Sequence, residues 1–499
     1  MSDTVSPGTM RPSSEGPVIE GTDLRRDAIG LVGATMQNIT HIAPAIAALF
    51  FTQFVVSLAG ITAPLAYLLG VLVVLMLGST LVQLSKHMPS AGGYYTYVSR
   101  ALHPRVGFLT SWMYVMYAPL AGGPIYGYFG FIVAQELKTN YQISVPWLWW
   151  VCVLVGAPLI AFLQYRGIKI SVRAMLILGS LEMLIVFVLA IWGFAKPGPG
   201  GFTFSVFDIS KKLSVEGFAL AVVFSIQGLT GWEGAAPLAE ETRDPRRNVP
   251  RATMLSICLL GVFLIIAYWG QILGWGVSKL STLPGSSDLP GLVLAHRFWG
   301  SAWWILLLAF LNTTIAVCLA TANVGTRMWY RMAKGGSFPS ALAKVDPKYK
   351  TPTNAILVQL ALALVSGLGV GAWIGADKSF LLVDGLVLVM AVLFVYVMAN
   401  AAVFAYYIWQ RRSDFNIILH VLLPLISTGA LIYALVYSFI PFPASPYKYA
   451  PLIDGIWLFL GVVVLLVMWL RRNDRWLLTA GAALGESEGT DTGPTVRRT

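Results

Sequence analysis

The sequence predicts an all-α polytopic membrane protein of about twelve transmembrane helices. Three observations carry that prediction. Charged residues make up only 11% of the 499 residues and the mean hydropathy is +0.72, whereas a soluble chain carries about 25% charge. Apolar stretches of about 20 residues, the length that crosses a bilayer as a helix, recur along nearly the whole chain. They lack the period-two alternation of strands, so a transmembrane barrel is excluded.

In chain order the spans fall at about 29–57, 62–85, 106–136, 146–164, 174–194, 216–238, 252–276, 301–329, 354–374, 380–409, 417–440 and 451–470. Basic residues segregate between alternate connections. Lys138, Lys196, Lys211, Lys212, Lys279, Arg297, Lys378 and Lys448 fall on one side, and the other 26 of the 34 Lys and Arg fall on the opposite side. The positive-inside rule places that richer side, with both termini, in the cytoplasm. The net charge of +11 therefore sets topology and implies no nucleic-acid partner. The expected location is the cytoplasmic membrane, with the lipid bilayer as the surrounding partner and no obligate protein partner evident.

Residues 1–27 are polar and lack an apolar core, so they read as a disordered cytoplasmic tail rather than a cleavable signal. Residues 28–472 form the membrane domain, and 473–499 a second cytoplasmic tail. Cys152, Cys258 and Cys318 all lie in predicted spans and read as buried filler. No metal or other cofactor is expected, because the five His have no ligand spacing and no nucleotide-binding motif occurs. An enzyme would need converging nucleophile, base or metal ligands, and short connections leave no soluble catalytic or output domain.

Two spans are interrupted by polar side chains and helix breakers together. Span 1 holds Gln37, Asn38, Thr40, His41 and Pro44, and span 6 holds Gln227, Gly228, Thr230, Gly231, Glu233 and Pro237. Gly weakens a helix and Pro removes a donor. Backbone freed in this way persists in a membrane only where it lines a cavity or meets a ligand. Spans 1 and 6 sit five apart with opposite starting sides, so spans 1–5 and 6–10 are expected to form a five-plus-five inverted repeat with two extra helices. Half-helix N-termini suit a carboxylate and exposed carbonyls suit an amine. A zwitterionic amino acid suits both ends. The competing reading is a glycine-kinked packing helix.

Three stretches then resemble the amino acid–polyamine–organocation transporter superfamily. "LSKHMPSAGGYYTYVSRALHPRVGFLTSW" is similar to its Pro-x-Ala-Gly-Gly-x-Tyr loop, "GWEGAAPLAEETRDPRRNVPRAT" to its span 6 motif, and "TANVGTRMWYRMAKGGSFPSALAKVDPKYKTPTNAI" to its span 8 exit. The likeness covers roughly residues 29 to 410. It implies the broken-helix five-plus-five fold and secondary transport of an amino acid or amine. The sequence departs from the family pattern in three places. Thr40–Pro44 stands where a Gly-Ser/Ala-Gly triplet is common. Glu182 stands where some proton-coupled members carry Lys, and Gln227 where arginine exchangers carry Trp.

The expected substrate-binding residues are Thr40, His41, Ile42, Ala43, Gln227, Gly228, Gly231 and Thr321. The expected coupling or gating residues are Glu182 and Glu233. Each also has a plainer reading. Glu182, the lone charge in span 5, is either a proton carrier or a buried hydrogen-bonding group. Glu233 either steadies unwound backbone or meets an amine. His41 and Thr321 either face the cavity or pack. Alternating access with proton-coupled import is the expected mechanism, against exchange or facilitated passage without protons.

Overall fold

The computed structural model describes residues 24–120, 122–283, 289–437, 444–471 and 476–482. The first part of the chain forms α1 (Leu31–Ile42), α2 (Pro44–Leu49), α3 (Thr52–Ala59), α4 (Ala63–Ser85), α5 (Tyr94–Ala101), α6 (Pro104–Leu120), α7 (Gly122–Tyr141), α8 (Leu148–Tyr165) and α9 (Ile168–Ala195). The second continues with α10 (Val215–Gln227), α11 (Pro245–Trp275), α12 (Pro290–Trp299), α13 (Trp304–Lys334), α14 (Thr353–Leu364), α15 (Gly371–Ile374), α16 (Ala376–Leu382), α17 (Leu388–Trp409), α18 (Leu423–Tyr437), α19 (Tyr449–Leu470) and the short α20 (Trp476–Thr479). Among the described residues, nine helical stretches are long and apolar enough to cross a membrane.

The predicted first, third and sixth spans are not among those nine. Span 1 splits at Ala43 and span 6 stops being α-helical at Gln227, while span 3 covers α6 and α7 on either side of residue 121, which lies outside the described residues. Span 5 starts at Ile168 rather than near residue 174, since Lys169 and Arg173 continue the helix. Long basic side chains reach outward to the interface while their stems stay apolar. Three of the later helical runs contain π-helical turns, Val365–Val370, Val383–Val387 and Ile418–Leu422.

The surface is apolar where a membrane protein meets lipid. On α9, Ile177, Leu181, Leu184 and Ile191 are exposed, and on α19 so are Ile456, Phe459, Leu466 and Leu470. Cys258 is exposed as well, among Leu255, Leu259 and Val262 on α11. It faces outward, in place of the buried position expected from sequence, while Cys318 is buried.

The centre is built from α1, α4, α9, α11 and α13. Close approach of α9 and α11 depends on Gly193 and Gly270, where an added Cβ would strike backbone of the other helix. Small residues at such crossings let dispersion contacts hold helices that gain no hydrophobic drive in lipid. The predicted N-terminal tail lies outside the described residues as far as residue 23, while Leu24 is buried against Ala91, Tyr330 and Val345. In the predicted C-terminal tail, Trp476 packs its ring 5.7 Å from that of Phe108.

Candidate functional site

The first break is a single left-handed residue. Ala43 has φ 61° and ψ 72°, and Pro44 follows without an amide hydrogen, so the α1 ladder cannot continue into α2. The Ala43 amide turns back to the Thr40 carbonyl at 3.2 Å. The Thr40 hydroxyl donates to Met36 O at 2.7 Å.

The second break is longer. After Gln227 the chain runs through turns from Gly228 to Ala235 and resumes as a 3-10 helix over Ala236–Glu241. Gly231 has φ +115°, and a Cβ there would lie 2.6 Å from the His41 carbonyl oxygen and 2.9 Å from Ile42 N. Only glycine takes that conformation and permits that approach.

The two breaks touch each other. His41 Nδ1 lies 2.9 Å from Gly231 O, and since a carbonyl only accepts, Nδ1 carries the hydrogen. Beside it, Asn38 Oδ1 accepts from the Ala235 amide at 2.6 Å, and Asn38 Nδ2 donates to Ser256 Oγ at 3.2 Å. Asn38 was visible as a polar residue within span 1, but its partner lies 197 residues away. Pairing of that kind has no local sequence signal.

Glu233 is held from two sides. Tyr114 of α6 donates to Oε1 at 2.9 Å, and Tyr396 of α17 donates to Oε2 at 2.7 Å. Trp232 packs on Tyr396 with ring centroids 5.1 Å apart. Both carboxylate oxygens are therefore satisfied in a fully buried position.

Glu182 is fully buried on α9 and faces the start of α2. Its Oε2 accepts from the Ala45 amide at 3.2 Å, and the Thr313 hydroxyl of α13 faces the same carboxyl. The first turn of α2 lacks internal acceptors for its amides, and a carboxylate there is favoured by the helix dipole. Gly179, one turn earlier, packs under the Thr40 methyl and Met36. The structure thus joins α1, α2, α9 and α13 around one carboxylate.

Of the other expected residues, Ile42 ends α1, Gln227 ends α10 and Gly228 opens the turns beyond it. Thr321 is buried on α13, but its hydroxyl bonds back to Val317 O at 2.9 Å and Cys318 O at 3.1 Å in its own helix. The neighbouring Ala320 carbonyl is what contacts span 1, accepting from Gln37 Nε2 at 2.9 Å.

An ion pair and an aromatic cluster flank this region. Toward the N-terminal end, Arg327 Nε donates to Glu241 Oε2 at 2.8 Å, with both side chains buried. The Glu241 carbonyl also accepts from Ala28 N and Ile29 N at 2.8 and 3.1 Å, tying the segment before α1 to the second break. Toward the other end, Phe50 after α2 meets Phe380 of α16 at 4.9 Å and Tyr128 of α7 at 5.5 Å between centroids. Tyr128 stacks on Phe380 at 4.6 Å.

Two broken helices in mutual contact lie within the region matched by a known family. The sequence profile described as amino acid permease matches residues 33–479. The chain belongs to the amino acid permease family. This permease is 26% identical over 381 residues to the low-affinity putrescine importer PlaP of Escherichia coli (strain K12), covering 73% of the chain and 77% of that protein. It is 24% identical over 307 residues to the serine/threonine exchanger SteT of Bacillus subtilis (strain 168), covering 60% of the chain and 67% of that protein. To the L-methionine/branched-chain amino acid exporter YjeH of Escherichia coli (strain K12) it is 23% identical over 321 residues, covering 62% and 71%. The permease is a multi-pass membrane transporter and not an enzyme.

Proposed function

We propose that this permease is a secondary active transporter that carries an amino acid or a related amine across the cytoplasmic membrane by alternating access. The contact between His41 and Gly231 supports this reading most directly. It brings two unwound backbones together in a buried region with a polar pair at one end and an aromatic lid at the other. Carbonyls at the end of α10 offer acceptors to an ammonium, and the break at Ala43 offers freed backbone to the substrate's other polar group. Opening the Arg327–Glu241 end and the Phe50–Tyr128–Phe380 end in turn would expose the site to one side at a time.

In this reading spans 1–5 and 6–10 form the inverted repeat, with both termini cytoplasmic. Import is coupled to protons, with Glu182 as carrier, because its carboxyl caps the half-helix that begins at the break. Substrate exchange without protons is the second reading, favoured by the likeness to a protein named an exchanger. Counterflow in proteoliposomes separates the two. Accumulation driven by an imposed pH gradient supports coupling, and its absence in vesicles that still exchange labelled for unlabelled substrate overturns it.

A further inference from the structure

We propose that Gln37 is a positioning residue for transport, a latch that holds the inner half of the first broken helix on α13 and lets go only when the cytoplasmic side opens. This rests on the alternating-access reading above and adds a second release step to the one at Arg327–Glu241.

Gln37 lies on α1, one turn before His41, and is fully buried. Its Nε2 donates to Ala320 O of α13 at 2.9 Å, and its Oε1 accepts from Asn323 Nδ2 at 3.5 Å. Asn323 Oδ1 in turn accepts from Arg327 Nη1 at 3.3 Å and from Gln164 Nε2 of α8 at 3.5 Å. Arg327 can only donate and the Ala320 carbonyl can only accept, so both amides are oriented from the two ends. One directed chain runs from Arg327 through Asn323 and Gln37 to Ala320. Gln37, Gln164, Glu241, Asn323 and Arg327 are all fully buried. Each bond therefore acts in a low dielectric and leaves a costly orphan when it breaks.

Ala320, Asn323 and Arg327 recur at i, i+3 and i+7, a spacing that puts them on one face of α13. That face grips both broken helices. Arg327 holds Glu241, which follows the second break, and Gln37 belongs to the helix that precedes the first. The two gripped segments are also tied to each other. Asn38 Oδ1 accepts from the Ala235 amide at 2.6 Å, and Ile29 O accepts from the Arg243 amide at 2.8 Å. Breaking the ion pair alone therefore does not free α1 and residues 235–243 from α13. The Gln37 bonds must break in the same movement.

The test is sided cysteine labelling of the full-length protein in ligand-free membrane vesicles, with an impermeant thiol reagent and mass spectrometry of the reporter peptide. The inner reporter is Val324→Cys, a fully buried position one turn from Ala320 on α13, read in inside-out vesicles. The outer reporter is Leu49→Cys, beside Phe50 and packed against Gly291 of α12, read in right-side-out vesicles. Gln37→Met keeps the side-chain volume and removes both bonds. It is expected to raise inner labelling about tenfold, the scale of one or two buried hydrogen bonds, without raising outer labelling. A general loss of packing would raise both. That outcome, or an unchanged inner reporter, overturns the proposal. Should Gln37→Met fail to fold, Asn323→Ala, which removes the donor to Gln37 Oε1, is read by the same outcomes. If neither reporter is labelled in the otherwise wild-type protein or in any variant, the alternating-access reading falls together with the proposal. Labelling of the otherwise wild-type protein from both sides leaves that reading standing, whatever Gln37→Met does.

Discussion

The Glu182 carboxylate accepts a hydrogen bond from the Ala45 amide at 3.2 Å, joining α9 to the first turn of α2. Ionised, it complements the half-helix dipole. Protonated, it is a weaker acceptor and loosens the segment next to the break. Glu182→Gln should therefore behave as a permanently neutral side chain. Substrate binding and exchange of labelled for unlabelled substrate should survive, while accumulation driven by a pH gradient should fail in proteoliposomes. Accumulation with the original pH dependence would make Glu182 structural.

Glu233 gives the opposite expectation. Its two oxygens each accept from a tyrosine, and a glutamine amide can serve only one of them as acceptor. Glu233→Gln should destabilise the protein by about 1–3 kcal/mol and weaken substrate binding, visible as a lower thermal midpoint and a higher Kd. Tyr114→Phe in the Glu233→Gln background should add little further loss if the clamp works as a unit. Independent, additive losses would contradict it.

The buried Arg327–Glu241 pair predicts a strong asymmetry between single and double variants. Arg327→Met leaves Glu241 charged and unpaired, a cost of about 3–5 kcal/mol. Arg327→Met with Glu241→Gln removes both charges and should recover most of the lost stability in a thermal unfolding scan. Equal stability of the single and double variants would show that the pair is not coupled.

Topology is checked on exposed residues. Lys138, Lys211, Arg246 and Lys348 all lie at exposed positions. Cysteines at Lys138 and Lys211 should react with an impermeant thiol reagent added to intact cells, and those at Arg246 and Lys348 should not. The reverse pattern would invert the orientation derived from the basic residues.

The breaks were legible because glycine and proline act locally, and because Gln37, Asn38, Thr40 and His41 have no reason to sit in lipid. Glu182 was legible as a lone charge in an apolar run. The Tyr114 and Tyr396 clamp on Glu233 was not, since tyrosines are ordinary in membrane helices and their partners are set by tertiary packing. Span ends shifted because Lys169 and Arg173 read as connection residues although the helix carries them to the interface.

The most direct test of the central claim is substrate binding to the Gly228→Leu/Gly231→Leu variant. A Cβ at Gly228 would meet the Tyr67 hydroxyl at 2.5 Å, and one at Gly231 the His41 carbonyl at 2.6 Å. The ligand should be whichever amino acid or amine most raises the thermal midpoint of the wild type. The variant is expected to reach the membrane at comparable abundance and to lose at least about 100-fold in affinity, a loss of roughly 2.7 kcal/mol. Wild-type affinity in the folded variant would contradict a transport site between the two helix breaks.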